Sequence, residues 1–406
     1  MPVQYLNEIN RLGKNVYSKE RIENLQNQEA ATFSKLKKSS TPLQGNGYYG
    51  SALSQGNQAG QGSYNEFEAL RTPDRQQVEQ WLVRPKEFAH TILISGLSIE
   101  MLKNGPAAFA DGFTFQMDKG LEDSAKELNQ QVFRPGTGVK ALVNGAVIAD
   151  TAIIYDNGIP THFAPGELID VYTAGGVLEA QNAEIVANDL ATQTLTVAAN
   201  VTLSDNSEIF RAGIRLNRPA DGKEMAGLPR MVDDGTNFGA YQGIVRVGGG
   251  AVDAWRGLTL NAGGANLSDD MLQRAMFRVK TYSNQSVDTI ISNSQQMRRY
   301  MAITLPSVQF TEGAKRDTAP AKDREWNGIK WIFDTDAPFD GVYMYSSKCF
   351  MRFETKGLGF DNIDGSIIKH FPGFDAFIAY AKYYGNLGSN NPRAGILIDN
   401  LSVLAL

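Results

Sequence analysis

Hydrophobic residues recur at the spacing of one helical face in the segment after Asn104-Gly105. Pro106 suits the first position of a helix, where the missing proline N–H costs nothing. Apolar residues then follow every three or four positions until Arg134-Pro135-Gly136 interrupts the pattern. The sequence therefore predicts one helix of about 28 residues. Its predicted apolar face comprises Phe109, Phe113, Met117, Leu121, Ala125, Leu128 and Val132.

A different pattern, of short β-branched and aromatic runs between turn residues, occupies Ala146 to Leu216. Several such runs without a helical repeat are typical of a small β-barrel or sandwich. Because the regions on either side differ in character, we interpret this one as an inserted domain. The predicted strands are Val147–Tyr155, Glu167–Tyr172, Val177–Val186, Thr192–Ala198 and Glu208–Ile214. The candidate core members are Val171, Ile185, Leu195 and Val197.

Strands and helices alternate in residues 217–345, which is typical of an α+β sheet. Ser268 is placed to cap a helix that begins with acidic residues, and Ser294–Ile303 predicts a second helix. The apolar and aromatic tail from Phe371 to Leu406 is predicted to pack back on this core. The predicted strands are Val287–Ser292, Ile329–Asp334, Gly341–Tyr345 and Cys349–Glu354.

The first hundred residues contain little that could form a core. Residues 1–40 are polar with sparse apolar positions, which indicates an arm that becomes ordered against another surface. Thr41 to Asn65 carries no charge and is rich in glycine, asparagine and glutamine, so it predicts a loop. Val78–Val83 and Phe88–Ile99 predict strands that follow this loop.

The composition excludes several classes of protein. Of the 406 residues 42% are hydrophobic, enough for a sizeable core, and a net charge of −5 offers no basic surplus for gripping phosphates. A single cysteine, Cys349, excludes an internal disulfide, and three dispersed histidines disfavour a zinc cluster. The start of the chain has no apolar signal core, and no run approaches the ~20 apolar residues of a membrane span.

Candidate chemistry is sparse, since no nucleotide-binding, zinc-protease or hydrolase signature is present. Asp334-Thr335-Asp336 has the form of a metal pair, but Ala337-Pro338 after it favours a turn at the end of a strand. Asp233–Asn237 and Asp361–Gly365 lack the spacing of a calcium loop. We therefore predict no catalytic residue, no cofactor, no metal site and no enzymatic activity. The alternating aromatic residues are predicted to lie in the core: Trp326, Trp331, Tyr343 and Tyr345.

The order of these parts resembles the major capsid proteins of tailed bacteriophages, with the Hong Kong ninety-seven-type fold. Phe88–Lys103 is similar to the strand that leaves the extended loop of that family. Asn129–Phe133 with Gly136-Thr137-Gly138 is similar to the end of its spine helix, and Trp326–Tyr345 to its axial sheet. The resemblance covers roughly residues 67–400 and depends on the ordered combination of diffuse patterns.

The resemblance implies an α+β capsid fold with an N-terminal arm, an extended loop, a long spine helix, peripheral and axial domains and an inserted β-barrel-like domain. The interface candidates that it suggests are Tyr48, Tyr49, Tyr64, Trp81, Arg84 and Glu100. The implied divisions are 1–40 (arm), 41–103 (extended loop), 104–145 (spine helix and part of the peripheral domain), 146–216 (insertion), 217–355 (axial domain with peripheral strands) and 356–406 (C-terminal segment).

The implied function is self-assembly, in hundreds of copies, into hexamers and pentamers of an icosahedral head around double-stranded DNA. The expected partners are other copies, a separate scaffolding protein, a portal, a cement or decoration protein, and DNA held weakly and non-specifically, with no membrane. The protein would reside in the virion after assembly in the host cytoplasm. The arm and loop, residues 1–66, would be ordered by neighbouring subunits.

Three alternatives remain open at this point. An encapsulin-like cellular shell protein would share the fold but would need a cargo site. Another structural virion protein, of the tail or baseplate, would also lack catalytic motifs. An enzyme could have an unrecognised site in residues 217–345.

Overall fold

A computed structural model shows a mixed α and β architecture, so the predicted α+β class is confirmed. The structure describes Ile22, Asn24 and residues 30–51, 62–70, 78–96, 106–215, 222–248, 252–304, 324–362 and 366–403, with side chains undescribed at a few positions, chiefly 106–115.

The helices of these residues are α1 (Ala31–Lys35), α2 (Pro106–Val132), α3 (Leu228–Val232), α4 (Asp269–Ser283) and α5 (Ser294–Thr304). The strands are β1 (Lys37–Lys38), β2 (Tyr48–Ser51), β3 (Gln80–Val83), β4 (Lys86–Ser95), β5 (Val139–Val143), β6 (Val147–Asp156), β7 (Leu168–Tyr172), β8 (Leu178–Asp189), β9 (Thr194–Leu203), β10 (Glu208–Arg211), β11 (Ala240–Tyr241), β12 (Ile244–Val245), β13 (Leu258–Asn261), β14 (Thr289–Ser292), β15 (Arg324–Trp326), β16 (Ile329–Phe333), β17 (Val342–Tyr345), β18 (Phe350–Phe360), β19 (Ile368–His370), β20 (Ala376–Ser389) and β21 (Gly395–Asp399).

The long helix α2 confirms the helical pattern in the sequence. It begins at Pro106, and the predicted face is buried along its described length. It packs tightly on β4 at Gly120, where an added Cβ would overlap Ile92. Glycine in a helix interior costs about 1 kcal/mol relative to alanine, so this close packing explains its presence. The buried face is Met117, Leu121, Ala125, Leu128 and Val132, while Phe109 and Phe113 lie outside the described side chains.

Strand β20 is the centre of the sheet on which α2 packs. It pairs antiparallel with β18 and β19 along one edge and with β4 along the other. The register places Ala381 between Phe360 of β18 and His90 of β4. This sheet therefore joins the segment before α2 to the last third of the chain.

The arm next to this sheet corrects one expectation. Residues 30–38 were predicted to become ordered only against neighbouring subunits, but they pack in their own chain. Phe33 is fully buried, with its ring centroid 5.5 Å from that of Tyr383 in an edge-to-face arrangement, and β1 pairs in parallel with β18. The local sequence is too polar to form a core alone, but a few apolar side chains suffice when a core formed elsewhere receives them.

The insertion is a closed six-stranded barrel in the order β10-β5-β6-β9-β8-β7. Its first strand begins at Val139, so the boundary predicted at residue 146 omitted β5. That strand follows the end of α2 after only a short turn. It was therefore assigned to the helical region and not to the series of strands separated by turn residues. The predicted core members are all buried in the barrel: Val171, Ile185, Leu195 and Val197.

The third part is a six-stranded mixed sheet in the order β13-β21-β17-β14-β16-β15. Ser268 caps α4 as predicted, its hydroxyl accepting from the Met271 N–H at 3.3 Å. The tail returns as β21, between β13 and β17, so its predicted packing on the core is confirmed. The predicted core aromatics are buried here: Trp326, Trp331, Tyr343 and Tyr345.

Candidate functional site

The antiparallel pair of β2 and β3 fixes the base of the predicted extended loop. Tyr48 and Trp81 pack their rings on Phe353, with centroids 5.2 Å and 5.7 Å away. The Tyr48 hydroxyl also lies 3.0 Å from the Thr355 hydroxyl. A Cβ at Gly50 would overlap the Trp81 ring, so the hairpin requires a glycine there. Both aromatic residues were predicted at a subunit interface, and both are buried within their own chain.

The described part of the loop, residues 62–70, exposes large apolar side chains. Tyr64, Phe67 and Leu70 are 62%, 97% and 75% exposed. The Glu68 N–H donates to the Asn65 carbonyl at 3.1 Å, and the Glu68 carboxylate accepts from the Asn65 N–H at 2.9 Å. Three large apolar side chains in one short exposed turn are typical of an interaction surface.

The other residues predicted at interfaces differ in exposure. Arg84 is exposed, like Tyr64, while its backbone carbonyl accepts from the Asn386 amide at 2.8 Å. Tyr49 is half-buried, and its hydroxyl donates to the Asn46 side-chain oxygen at 2.8 Å. Glu100 lies outside the described residues. Their role between subunits stays a prediction.

The turn after β16, Asp334–Ala337, is bound by side chains from four parts of the chain, and we call it the junction turn. From the arm, the Thr32 hydroxyl donates to an Asp334 carboxylate oxygen at 2.5 Å. From α2, the Asn129 amide donates to Asp334 at 3.0 Å and to Asp336 at 2.8 Å. The turn that the sequence predicts here agrees with this geometry.

The barrel and the six-stranded mixed sheet bind the same turn. The ring Nε2 of His162 lies 3.1 Å from the Asp336 carbonyl, and the Thr161 hydroxyl donates to the Thr335 carbonyl at 3.1 Å. The Asn293 amide donates to the carbonyls of Thr335 and Ala337 at 3.1 Å and 3.0 Å. Residue Thr32 of the arm, helix α2, the barrel and the six-stranded mixed sheet are therefore held at one point.

Burial changes the protonation of groups at this turn. It raises the pKa of Asp336 to about 6, with the Asp334 charge acting in the same direction and the Asn129 hydrogen bond opposing it. Burial also lowers the pKa of His162 well below its usual value. The histidine is therefore neutral, and because a carbonyl can only accept, its proton lies on Nε2.

A second buried cluster joins the end of α2 to the barrel. Arg134 pairs with Glu127 and, at 3.0 Å, with Glu224, while Arg211 of β10 reaches Glu127 at 3.4 Å. Burial by itself would raise the pKa of Glu127, but Arg134, with Lys140 and Arg211, holds it below its usual value. Burial raises the pKa of Glu224. The cluster is structural in its geometry, since each charge is bound to an opposite one.

The sequence predicted the junction turn but not the side chains that bind it. Asn129 lies one helical turn after Ala125, beside the apolar face of α2. A polar residue beside a buried face indicates a buried hydrogen-bond partner, and this was the signal that the sequence offered. Thr32 gave no signal, because its partner Asp334 is 302 positions away. Contacts of that separation leave no local pattern.

The acidic loops considered as metal sites are bound by protein groups. The Asp233 carboxylate accepts from the backbone N–H groups of Gly235 and Phe238 at 2.9 Å and 3.0 Å. Asp361 pairs with Lys382 at 2.8 Å and with two further lysines. Within the described ranges, no group of three or more His, Cys, Asp or Glu side chains is arranged to hold a metal ion. No helix in the described part of the chain is long and apolar enough to cross a membrane.

The fold is similar to that of solved phage capsid structures. The cyanophage A-1(L) capsid asymmetric unit matches with a TM-score of 0.54 and 11% identity, over 92% of this chain and 93% of that chain. The capsid of a native GTA particle matches over 91% of this chain and 90% of that chain, with a TM-score of 0.46 and 10% identity. The capsid of Myoviridae phage XM1 matches over 92% of this chain and 92% of that chain, with a TM-score of 0.43 and 8% identity.

No protein-family model matches the sequence, and no curated protein matches it. The first of the three structural likenesses establishes the fold: this chain has the fold of a phage capsid protein over nearly its whole length. The resemblance drawn from the sequence is therefore confirmed at the level of the fold.

Proposed function

We propose that this protein is the shell-forming subunit of a bacteriophage head. The observation that carries the proposal is the shared fold with the cyanophage A-1(L) capsid, which extends over more than nine-tenths of both chains. Agreement over that length is greater than any one part of the chain could supply, so it does not come from one common domain alone.

The arrangement of polar and apolar groups supports this proposal. The junction turn and the Arg134 cluster hold the arm, helix, barrel and axial sheet of one chain together through buried hydrogen bonds and ion pairs. The loop at residues 62–70 instead leaves three large apolar side chains in water. A shell subunit needs both features, because stable interfaces require exposed apolar surface on a body that keeps its shape.

The finer parts of the proposal follow from the family resemblance. Subunits would form hexamers and pentamers of an icosahedral shell around double-stranded DNA, assembled in the host cytoplasm with a separate scaffolding protein, a portal and a decoration protein. A net charge of −5 suits a container that contacts DNA weakly. The division into arm, extended loop, spine helix, insertion, axial domain and C-terminal segment belongs to the same proposal, as does the absence of enzymatic activity.

Electron microscopy and sedimentation of the purified protein, alone and with its scaffolding protein, test this directly. We expect closed shells or rings of subunits. A protein that stays monomeric under both conditions would overturn the proposal. Nucleic acid inside native particles would support the phage head, whereas enclosed protein cargo would favour a cellular compartment and tubes or discs would favour a tail or baseplate part.

A further inference from the structure

A pocket of about 450 Å³ lies where the turn between β3 and β4 meets the hairpin of β11 and β12. Its apolar wall includes Leu82, Val83 and Leu387. The pocket is open to the surface beside the base of the extended loop. It is large enough to receive an aromatic side chain with part of its flanking backbone.

The charges at this pocket have one sign. Arg84, Lys86 and Arg230 are among its lining residues, and no carboxylate is among the described residues that line it. Lys86 is held there by donating to the Gly222 carbonyl at 2.6 Å, and the Arg230 guanidinium lies 5.3 Å from the Phe238 ring centroid. Three cations around an apolar pocket favour an occupant with an apolar side chain between carboxylates.

The extended loop carries such a sequence in Glu66-Phe67-Glu68. Phe67 is 97% exposed and adopts φ 68°, a left-handed conformation that is uncommon for a bulky residue. The turn closed by Asn65 and Glu68 therefore presents the ring outward between two carboxylates. The same exposure shows that Phe67 does not occupy the pocket of its own chain.

We propose that Phe67 of one copy inserts into this pocket of a second copy, with Glu66 and Glu68 facing Arg84 and Arg230. The inference rests on the proposed shell function and names the contact by which neighbouring subunits recognise each other. The loop has the necessary reach, since Phe67 lies thirteen positions before Gln80, the first residue of β3, and that length of chain can span up to about 43 Å.

A charge exchange in the full-length protein tests the pairing. Glu66→Arg or Arg84→Glu alone places like charges together, and we expect each to raise the concentration needed for assembly about tenfold or more. The two changes combined should restore assembly towards that of the unchanged protein. Tyr64→Ser is the matched control, since it removes an exposed aromatic from the same loop but leaves the Glu-Phe-Glu sequence intact. Normal assembly of both single variants, or no recovery in the combination, would overturn the pairing.

A photocrosslinking side chain in place of Phe67 locates the contact independently. With a mixture of isotopically light and heavy chains, we expect crosslinks between different copies that map to residues 82–86, 230 or 387. Crosslinks to other surfaces, or only within one chain, would overturn the inference even if shells form. If the unchanged protein does not self-associate at all, the proposed function fails and this inference fails with it, so the two results are distinguishable.

Discussion

Around the junction turn polar side chains are buried and bonded, whereas in the loop at residues 62–70 apolar side chains are exposed. Asp334, Asp336 and Asn129 lie in the interior of one chain, where water cannot replace a lost hydrogen bond. Phe67 and Leu70 are exposed to water, and only contact with another molecule would bury them. The first region determines how the parts of one chain are arranged, and in the proposed shell the second would determine how copies meet. Changes in the first should therefore alter folding, and changes in the second should alter association.

The largest loss of stability is expected from Arg134→Met. The substitution leaves the Glu127 and Glu224 carboxylates buried without their shared guanidinium. Breaking a buried ion pair from one side costs about 3–5 kcal/mol. The loss in the free energy of unfolding is measured by urea unfolding, at a protein concentration below that at which copies assemble. The control is Lys119→Ala, which removes two exposed ion pairs, with Glu122 and Asp123, on the same helix and should cost less than about 1 kcal/mol. Equal stability of the two variants would show that the cluster is not a stabilising junction.

Asn129→Leu should have the next largest effect. It removes the amide that donates to both Asp334 and Asp336 and the oxygen that accepts from the Thr32 and Phe33 N–H groups. Leaving such buried groups unbonded costs about 2–4 kcal/mol in total. Hydrogen exchange should also show faster exchange at residues 31–36 than in the unchanged protein. Unchanged protection of the arm would contradict its attachment through the junction turn.

Asp336→Asn tests the protonation of the junction turn. The pKa of Asp336 is about 6 in the folded protein, above its ordinary value of 3.8, so the folded state binds the proton more tightly between those pH values. Stability should therefore fall as pH rises from about 4 to 6, by about 3 kcal/mol at most. The asparagine resembles the protonated acid and should remove that loss. We expect the variant to unfold at a higher urea concentration at pH 7.5 and at a similar one at pH 4, and an unaltered pH dependence would contradict this.

Phe67→Ser should have the smallest effect on the subunit. The side chain is almost fully exposed, so its removal should change the free energy of unfolding by less than about 0.5 kcal/mol. Assembly, followed by light scattering, should weaken in the same variant. A clear loss of subunit stability would mean that the loop belongs to its own chain's core, and the contrast with the junction turn would disappear.

The sequence alone determined the elements whose residues repeat at a regular period. The interval of three to four residues from Met117 to Val132 predicted the long helix. The short runs between turns predicted five of the six barrel strands, each beginning within two residues of the observed start, and the core positions Val171 and Ile185. Such patterns are local, because a helix or strand must present one apolar face to whatever covers it. Even there the barrel boundary was wrong, since β5 follows α2 with only a short turn between them.

Tertiary structure decided the contacts between distant segments. The pairing of β4 with β20, the docking of Phe33 beside Tyr383 and the binding of Thr32 to Asp334 each join residues about 290 to 350 positions apart. Their sequences carry no common repeat, since a hydrogen-bonding residue is equally compatible with solvent or with a buried partner until the chain has folded. For the same reason composition predicted that the arm and loop cannot form a core alone, but only the folded chain showed that residues 30–38 pack within it and that the turn at residues 62–70 is exposed.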